Sequence, residues 1–298
     1  MKILVTGSTG FIGQNLIKLL IKNNYSVYVI VRKSSDISVL DNDTKTIRYD
    51  GDINTLKSVF EKEKFDGVIH LASLFLASHE STDISNLVSS NITFGIELLE
   101  CSKESNVKWF INTGTFWQNY QSDSYNPVNL YAATKEAFEK IADFYIQTSN
   151  LIFTTIKLND TFGPNDTRNK VFNLWSKISK SGEVLEMSAG EQIIDISYID
   201  DVVDAYISLV NHLDSSDKNK FKNKTFAVKS AERMSLKELS KVFEEATNTK
   251  LNIVWGGREY RDREVMIPWE HGKVVPGWRP KYSLKEAIIK TMENINND

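Results

Sequence analysis

Tyr131 and Lys135 stand four residues apart in "YAATK", inside a helical pattern that runs over about 129–148. That spacing stacks both side chains on one helix face. A free phenol titrates near pH 10, too high for efficient proton exchange at neutral pH; a neighbouring ammonium favours the phenolate and lowers that value. Lys135 can also hydrogen-bond the sugar hydroxyls of a bound ligand. Upstream, the strand pattern "KWFINTGT" ends in Thr113 and Thr115. A hydroxyl at the carboxyl end of a strand in an open α/β sheet faces the crevice where ligands bind. Thr113 is thereby set to hold a carbonyl or alkoxide oxygen beside Tyr131. Tyr-x-x-x-Lys alone is an ordinary amphipathic pattern, and strand-end threonines are common turn formers. The conjunction with what precedes them makes the set specific.

What precedes them is "TGSTGFIG", with Gly7, Gly10 and Gly13 directly after the apolar run Ile3-Leu4-Val5. A strand turning into a helix exposes free N–H groups and the positive end of the helix dipole, which a pyrophosphate satisfies. Glycine is needed where backbone approaches phosphate closely or takes positive φ. Gly7, Thr9, Gly10, Phe11, Ile12 and Gly13 are the expected cofactor loop, although the spacing G-x-x-G-x-x-G departs from the standard dinucleotide fingerprint. The second strand pattern ends in Arg32-Lys33, where such folds normally carry an acid for the adenosine ribose. Two bases there suit a 2′-phosphate through charge-assisted hydrogen bonds, so the expected cofactor is NADP(H). Asp52, followed by Ile53, is placed for the adenine amino group, and Leu71, Ala72 and Ser73 follow a strand beside the cofactor. His70 and Ser73 read equally well as strand-end packing.

These groups require a scaffold, and the pattern supplies one. Strand signals at 2–6, 26–32, 44–49, 66–72, 107–114 and 152–158 alternate with helical signals at 11–23, 53–63, around 84–105 and 129–148. Such alternation predicts an α/β fold, a doubly wound parallel sheet with helices on both faces. The second half is less regular, with helices near 169–180, 199–212, 235–248 and 283–296 and short strands at 225–229 and 251–255. A cofactor domain over 1–158, with a later return near 193–212, and a mainly substrate-binding region over 159–298 follow. The chain has 298 residues, 41% hydrophobic and 25% charged, with a net charge of −3 and no basic block. That disfavours general nucleic-acid binding. The apolar start is too short for a signal peptide and too interrupted by glycine for a membrane span, so the expectation is a cytoplasmic protein. Cys101 reads as an inert core thiol, and four unpaired histidines give no metal signal.

Together these residues resemble the extended short-chain dehydrogenase/reductase family of nucleotide-sugar epimerases, dehydratases and reductases. The likeness runs through "TGSTGFIG", "VIHLAS", Asn91 in "SSNITFGIELLE", "YAATK", "FGP" at 162–164, "DISYIDDVVDAY" at 195–206 and "GWRPKYSLKEAI". It implies a Rossmann-type domain, a smaller substrate domain and a Thr113–Tyr131–Lys135 catalytic set. It also implies a homodimer formed through the helices near 86–105 and 129–148.

Departures narrow the reading. The family's 4,6-dehydratases carry Asp-Glu directly after the catalytic threonine; Gly114-Thr115 cannot ionise, so dehydration is disfavoured. Arg32-Lys33 speaks against an epimerase that retains NAD. "NTGTFWQ", Tyr120 and "YRDREVMIPW" resemble a subgroup, the CDP-abequose and CDP-paratose synthases. That likeness implies reduction of a 4-keto-deoxyhexose, with Thr115, Phe116, Trp117 and Gln118 lining the sugar pocket beside Asn159 and Asp160. One of Arg258, Arg261 and Arg263 is expected on the substrate pyrophosphate. An acid at Asp160 would repel that diphosphate if it faced it. Asp195, Asp200 and Asp201 read as capping and interdomain residues. The alternatives are an NAD-retaining nucleotide-sugar epimerase and a dinucleotide-sensing regulator without catalysis.

Overall fold

The computed structural model describes residues 1–295. Its first half runs β1 (Lys2–Thr6), α1 (Phe11–Lys22), β2 (Ser26–Arg32), β3 (Lys45–Tyr49), α2 (Ile53–Glu63), β4 (Gly67–His70), α3 (Ile84–Val88), α4 (Phe94–Glu104), β5 (Trp109–Thr115), α5 (Leu130–Thr148) and β6 (Ile152–Leu158). The second half runs β7 (Asp160–Phe162), α6 (Val171–Ser181), β8 (Leu185–Met187), β9 (Ile193–Ile194), β10 (Ile196–Tyr198), α7 (Ile199–Leu213), β11 (Lys224–Ala227), β12 (Met234–Ser235), α8 (Leu236–Thr247), β13 (Ile253–Trp255) and α9 (Leu284–Ile295). The final residue of the helix expected over 283–296 lies outside the described residues.

Seven parallel strands form one sheet in the order β11-β6-β5-β4-β1-β2-β3. Strand order reverses at β1, between β4 and β2, and that reversal opens a crevice at the strands' carboxyl ends. Successive residues of β1 face opposite sides. Ile3 and Val5 join a core with α1 and α7, whereas Leu4 joins a second core with Phe60, Leu98 and Phe138. Burial on both faces explains why "SVYVIVR" is a continuous apolar run rather than an alternating one.

Two features differ from the sequence pattern. The single helix expected around 84–105 is interrupted: Ser89–Thr93 forms a π-helical turn between α3 and α4, with Asn91 buried in it. Such turns insert an extra residue and re-aim a side chain. The main sheet also takes its seventh strand, β11, from beyond residue 158, while α7 packs on α1 through Val202, Tyr206 and Leu209. The short strands of the second half pair among themselves, β7 with β10, β9 with β12, and β8 with β13. Of these, β13 lies within the short strand expected at 251–255; the others are too brief for hydrophobic periodicity to reveal them.

Asp195 and Asp201 tie the second half together. Asp195 accepts from Arg233 Nε at 2.7 Å and from the Ser230 amide at 3.0 Å; Asp201 accepts from the Lys281 amide at 2.8 Å. Asp200 lies in the first turn of α7. Cys101 is buried, and burial pushes its thiol up to about 11. Among the described residues no helix is long and apolar enough to cross a membrane, and no cluster could hold a metal ion.

Candidate active site

The glycine loop is a backbone cradle. Gly7 has φ of 70°, and a Cβ there would lie 2.7 Å from the Ala72 nitrogen. At Gly13 a Cβ would meet the Gly7 carbonyl oxygen at 2.2 Å. These two positions admit only glycine. Gly10 begins α1 without any side-chain cap, and Ser8 Oγ is buried with no hydrogen-bond partner among the described residues. An uncapped helix start and an orphaned hydroxyl beside a glycine turn fit an anionic pyrophosphate. Thr9, Phe11 and Ile12 complete the loop. Leu71, Ala72 and Ser73 follow β4 alongside it, and the Ala72 amide donates to Thr6 Oγ1 at 3.2 Å.

Arg32 ends β2 and is exposed, with no ion pair among the described residues, while Lys33 lies 4.0 Å from Asp50. Their loop is organised by a residue the sequence pattern did not single out. Arg48 on β3 donates through one guanidinium nitrogen to the carbonyls of Arg32 (3.1 Å), Lys33 (2.8 Å) and Ser35 (3.0 Å). Asp52 caps α2 through the Asn54 amide at 3.0 Å, and Ile53 opens that helix.

Tyr131 and Lys135 lie on α5, which Asn129 caps through the Ala132 amide at 3.0 Å. Burial pushes the Tyr131 phenol up to about 12, opposed by a hydrogen bond from Ser73. The expected lowering of this phenol by Lys135 is therefore not what dominates; the desolvated phenol stays protonated at neutral pH. Lys135 is 2% exposed, and burial draws it down to about 8, partly offset by Glu139 one turn later. His70 is fully enclosed. Burial and the nearby Lys135 charge hold it at about 3, so the ring is neutral. Its Nδ1 lies 2.8 Å from Thr6 Oγ1, and its Nε2 has no hydrogen-bond partner among the described residues. Ser73 Oγ is 3.2 Å from Asn91 Oδ1, and Asn91 Nδ2 donates to Thr134 Oγ1 at 2.9 Å. The π-helical turn thus locks the segment after β4 against α5.

Thr113 and Thr115 share one face of β5. Thr113 Oγ1 lies 2.7 Å from the hydroxyl of Tyr206, a fully buried residue of α7. Thr115 Oγ1 accepts from the Trp117 amide at 3.3 Å. The expectation for Gln118 is corrected: it is fully buried and both its amide hydrogens are committed within the protein. Its Oε1 accepts from the Thr115 amide at 2.9 Å, and its Nε2 donates to Glu136 at 2.7 Å and Glu139 at 3.1 Å. An amide so held fixes the turn. Phe116 is likewise corrected. It is 3% exposed and packs edge-on against Trp269 at 5.6 Å, so it belongs to the core beneath the pocket. Trp117 is half-buried, 5.4 Å from Phe75, whose ring stands 5.0 Å from that of Tyr131.

At the rim, Asn159 links β6 to β7, and Asp160 pairs with Lys170 at 2.6 Å. That ammonium offsets the acid expected to repel a diphosphate. Of the three arginines, Arg263 is committed elsewhere, donating to Asn126 Oδ1 at 2.7 Å and Pro127 O at 2.8 Å. Arg261 pairs with Glu264 at 3.1 Å and lies 5.9 Å over Trp117. Arg258 is exposed. Arg168, bound to Asp166 at 2.7 Å, stacks 4.4 Å over Phe11 of the glycine loop. Lys170 and Arg168 carried no motif: Arg168 precedes the helix expected near 169–180, and Lys170 is a lone base in its first turn. Tyr206 lay in "DVVDAY" but reads there as a helix core residue.

The description "NAD dependent epimerase/dehydratase family" matches residues 3–223. A protein from Yersinia pseudotuberculosis named CDP-abequose synthase is 30% identical, covering 98% of this chain and 100% of its own. One of the same name from Salmonella typhimurium is 25% identical, covering 98% of each. Among solved structures, a UDP-glucose 4-epimerase from Thermotoga maritima with UDP-glucose superposes with a TM-score of 0.85 at 24% identity, covering 100% of this chain and 99% of that one. A UDP-glucuronic acid 4-epimerase from Bacillus cereus, with UDP-glucuronic acid and NAD, does so at 0.85 and 22% identity, with coverage of 100% and 99%.

Proposed function

The chain belongs to the NAD dependent epimerase/dehydratase family, and within it we propose an NADPH-dependent reductase of a nucleotide-linked 4-keto-deoxyhexose. The favoured reaction is reduction of the C4 ketone of CDP-4-keto-3,6-dideoxyglucose to CDP-abequose or CDP-paratose, in deoxysugar synthesis for surface polysaccharide such as O-antigen. We place it in the cytoplasm as a homodimer.

The observation that carries this reading is the pairing of a protonated phenol, Tyr131, with Lys135 one helical turn away, together with a strand-end threonine that no carboxylate follows in the chain. Whether counted from Thr113 or from Thr115, the next two residues cannot ionise in the range needed for water elimination. NADPH, when bound, supplies the hydride that adds to C4. Tyr131 donates its proton to the oxygen developing there, and Lys135 as ammonium stabilises the phenolate left behind. Thr113, reinforced by Tyr206, donates a hydrogen bond to the same oxygen and orients it. Arg32 and Lys33 hold the 2′-phosphate. Trp117 and Thr115 line the sugar, with Lys170 and Arg261 at the diphosphate end.

A second reading, a nucleotide-sugar 4-epimerase that retains NAD, is favoured by the epimerase structures, one of them solved with NAD. It requires tightly held dinucleotide after purification and no net cofactor oxidation. The direct test of the reductase chemistry is Tyr131→Phe. A loss of about 10²–10⁴ in kcat with NADPH binding intact is expected; near-normal reduction would remove Tyr131 from the mechanism.

A further inference from the structure

Phe75 is a large apolar side chain left 47% exposed. A lone exposed phenylalanine needs no explanation; the position of this one does. Its ring meets Tyr131 edge-on at 5.0 Å and Trp117 at 5.4 Å, and the Lys170 ammonium lies 5.3 Å from its centroid. The backbone on either side is fixed. Leu74 exchanges hydrogen bonds with the Asn91 side chain at 2.7 and 3.0 Å. Asn129, the cap of α5, donates to Leu76 O at 3.1 Å and Ala77 O at 2.9 Å. Two asparagines from separate elements therefore hold an exposed aromatic ring against the group proposed to protonate the substrate oxygen.

We propose that Phe75, with Trp117, forms an apolar wall against the ring carbon next to the reacting ketone, and that it selects a substrate lacking the 3-hydroxyl. This inference rests on the 4-keto-sugar reductase reading. A group bonded to Tyr131 brings its neighbouring carbons within a few ångströms of the Phe75 ring. There a CH₂ packs favourably, and a hydroxyl loses water with no acceptor or donor opposite it. The Phe75 ring and the carbon face of Trp117 offer a hydroxyl nothing to bond, and the Lys170 ammonium is drawn toward Asp160 at 2.6 Å.

A matched pair tests this: CDP-4-keto-3,6-dideoxyglucose and CDP-4-keto-6-deoxyglucose, which differ only in the 3-hydroxyl. A preference of about 10² in kcat/KM for the 3-deoxy substrate is expected of the natural chain, the scale of an apolar pocket against an added hydroxyl. Phe75→Ser should narrow it to about tenfold, Phe75→Leu should largely keep it, and both should bind NADPH as before. An unchanged ratio in Phe75→Ser, with activity retained, overturns the inference while leaving the reductase reading intact. Weakened NADPH binding in both variants also overturns it, because Phe75 would then line the cofactor. Failure of the natural chain to reduce either compound removes the reductase reading itself, and the inference with it.

Discussion

The hydroxyl of Thr113, near the carboxyl end of β5, lies 2.7 Å from the hydroxyl of Tyr206 on α7. The contact joins the sheet to a helix that arrives ninety-three positions later. If Tyr206 donates, the proton of Thr113 is left for a substrate oxygen, and the chain of two hydroxyls polarises that proton. Burial pushes the Tyr206 phenol well above its ordinary value, and the neighbouring Tyr131 adds to the shift, so Tyr206 remains a donor across the working range.

Thr113→Val is expected to lower kcat by about 10², the scale of losing one donor to a developing oxyanion. Tyr206→Phe should cost about fivefold in kcat and roughly 1 kcal/mol of stability, the worth of one neutral hydrogen bond. In the double variant the kcat losses should fall short of their product, since both act through one hydroxyl. Normal turnover in Thr113→Val would pass the role to Thr115, whose own proton is not committed to the Trp117 amide.

The pH dependence has two separate parts. Lys135 titrates at about 8, so kcat/KM for reduction should fall as pH rises through that value, because the neutral amine cannot stabilise the Tyr131 phenolate. His70 is held at about 3 against an ordinary value of 6.5. Its folded pKa is depressed, so the unfolded chain binds the extra proton between those values. Stability linked to His70 is thus present above pH 6.5 and lost as pH falls toward 3, by about 1.4 kcal/mol per unit. Thermal melts from pH 7 to 4 should show a steeper fall in Tm for the natural chain than for His70→Asn. Equal slopes would mean that His70 does not titrate as its burial requires.

Arg32→Ala should weaken NADPH binding by tenfold or more and leave NADH nearly unchanged, read by fluorescence titration of the nicotinamide. Arg48→Met keeps Arg32 but frees the three carbonyls that shape its loop, so a smaller loss, specific to NADPH, is expected. Equal effects on both dinucleotides would place these residues away from the 2′-phosphate.

Much of this site was legible because its parts obey short periodicities. Gly7, Gly10 and Gly13 follow a strand directly, and Tyr131 and Lys135 are one helical turn apart, so local pattern found them. The misassignments came from direction rather than position. Phe116 and Gln118 directly follow the expected strand but point inward, Phe116 to Trp269 and Gln118 to Glu136 and Glu139. A three-residue turn has no period from which to read its inner face. Tyr206, Phe75 and Lys170 entered only through contacts between distant segments. The π-helical turn at Ser89–Thr93 was invisible for a related reason. One inserted residue barely disturbs a helical pattern, yet it turns Asn91 into the segment that holds Phe75.

The most direct measurement is the oxidation of NADPH by the purified protein with CDP-4-keto-3,6-dideoxyglucose, repeated with NADH and with dTDP-4-keto-6-deoxyglucose. Stoichiometric NADPH oxidation with the CDP sugar, much faster than with NADH, is the expected result. No oxidation with any keto-sugar, together with NAD released on denaturing the protein and interconversion of C4 epimers, would contradict it.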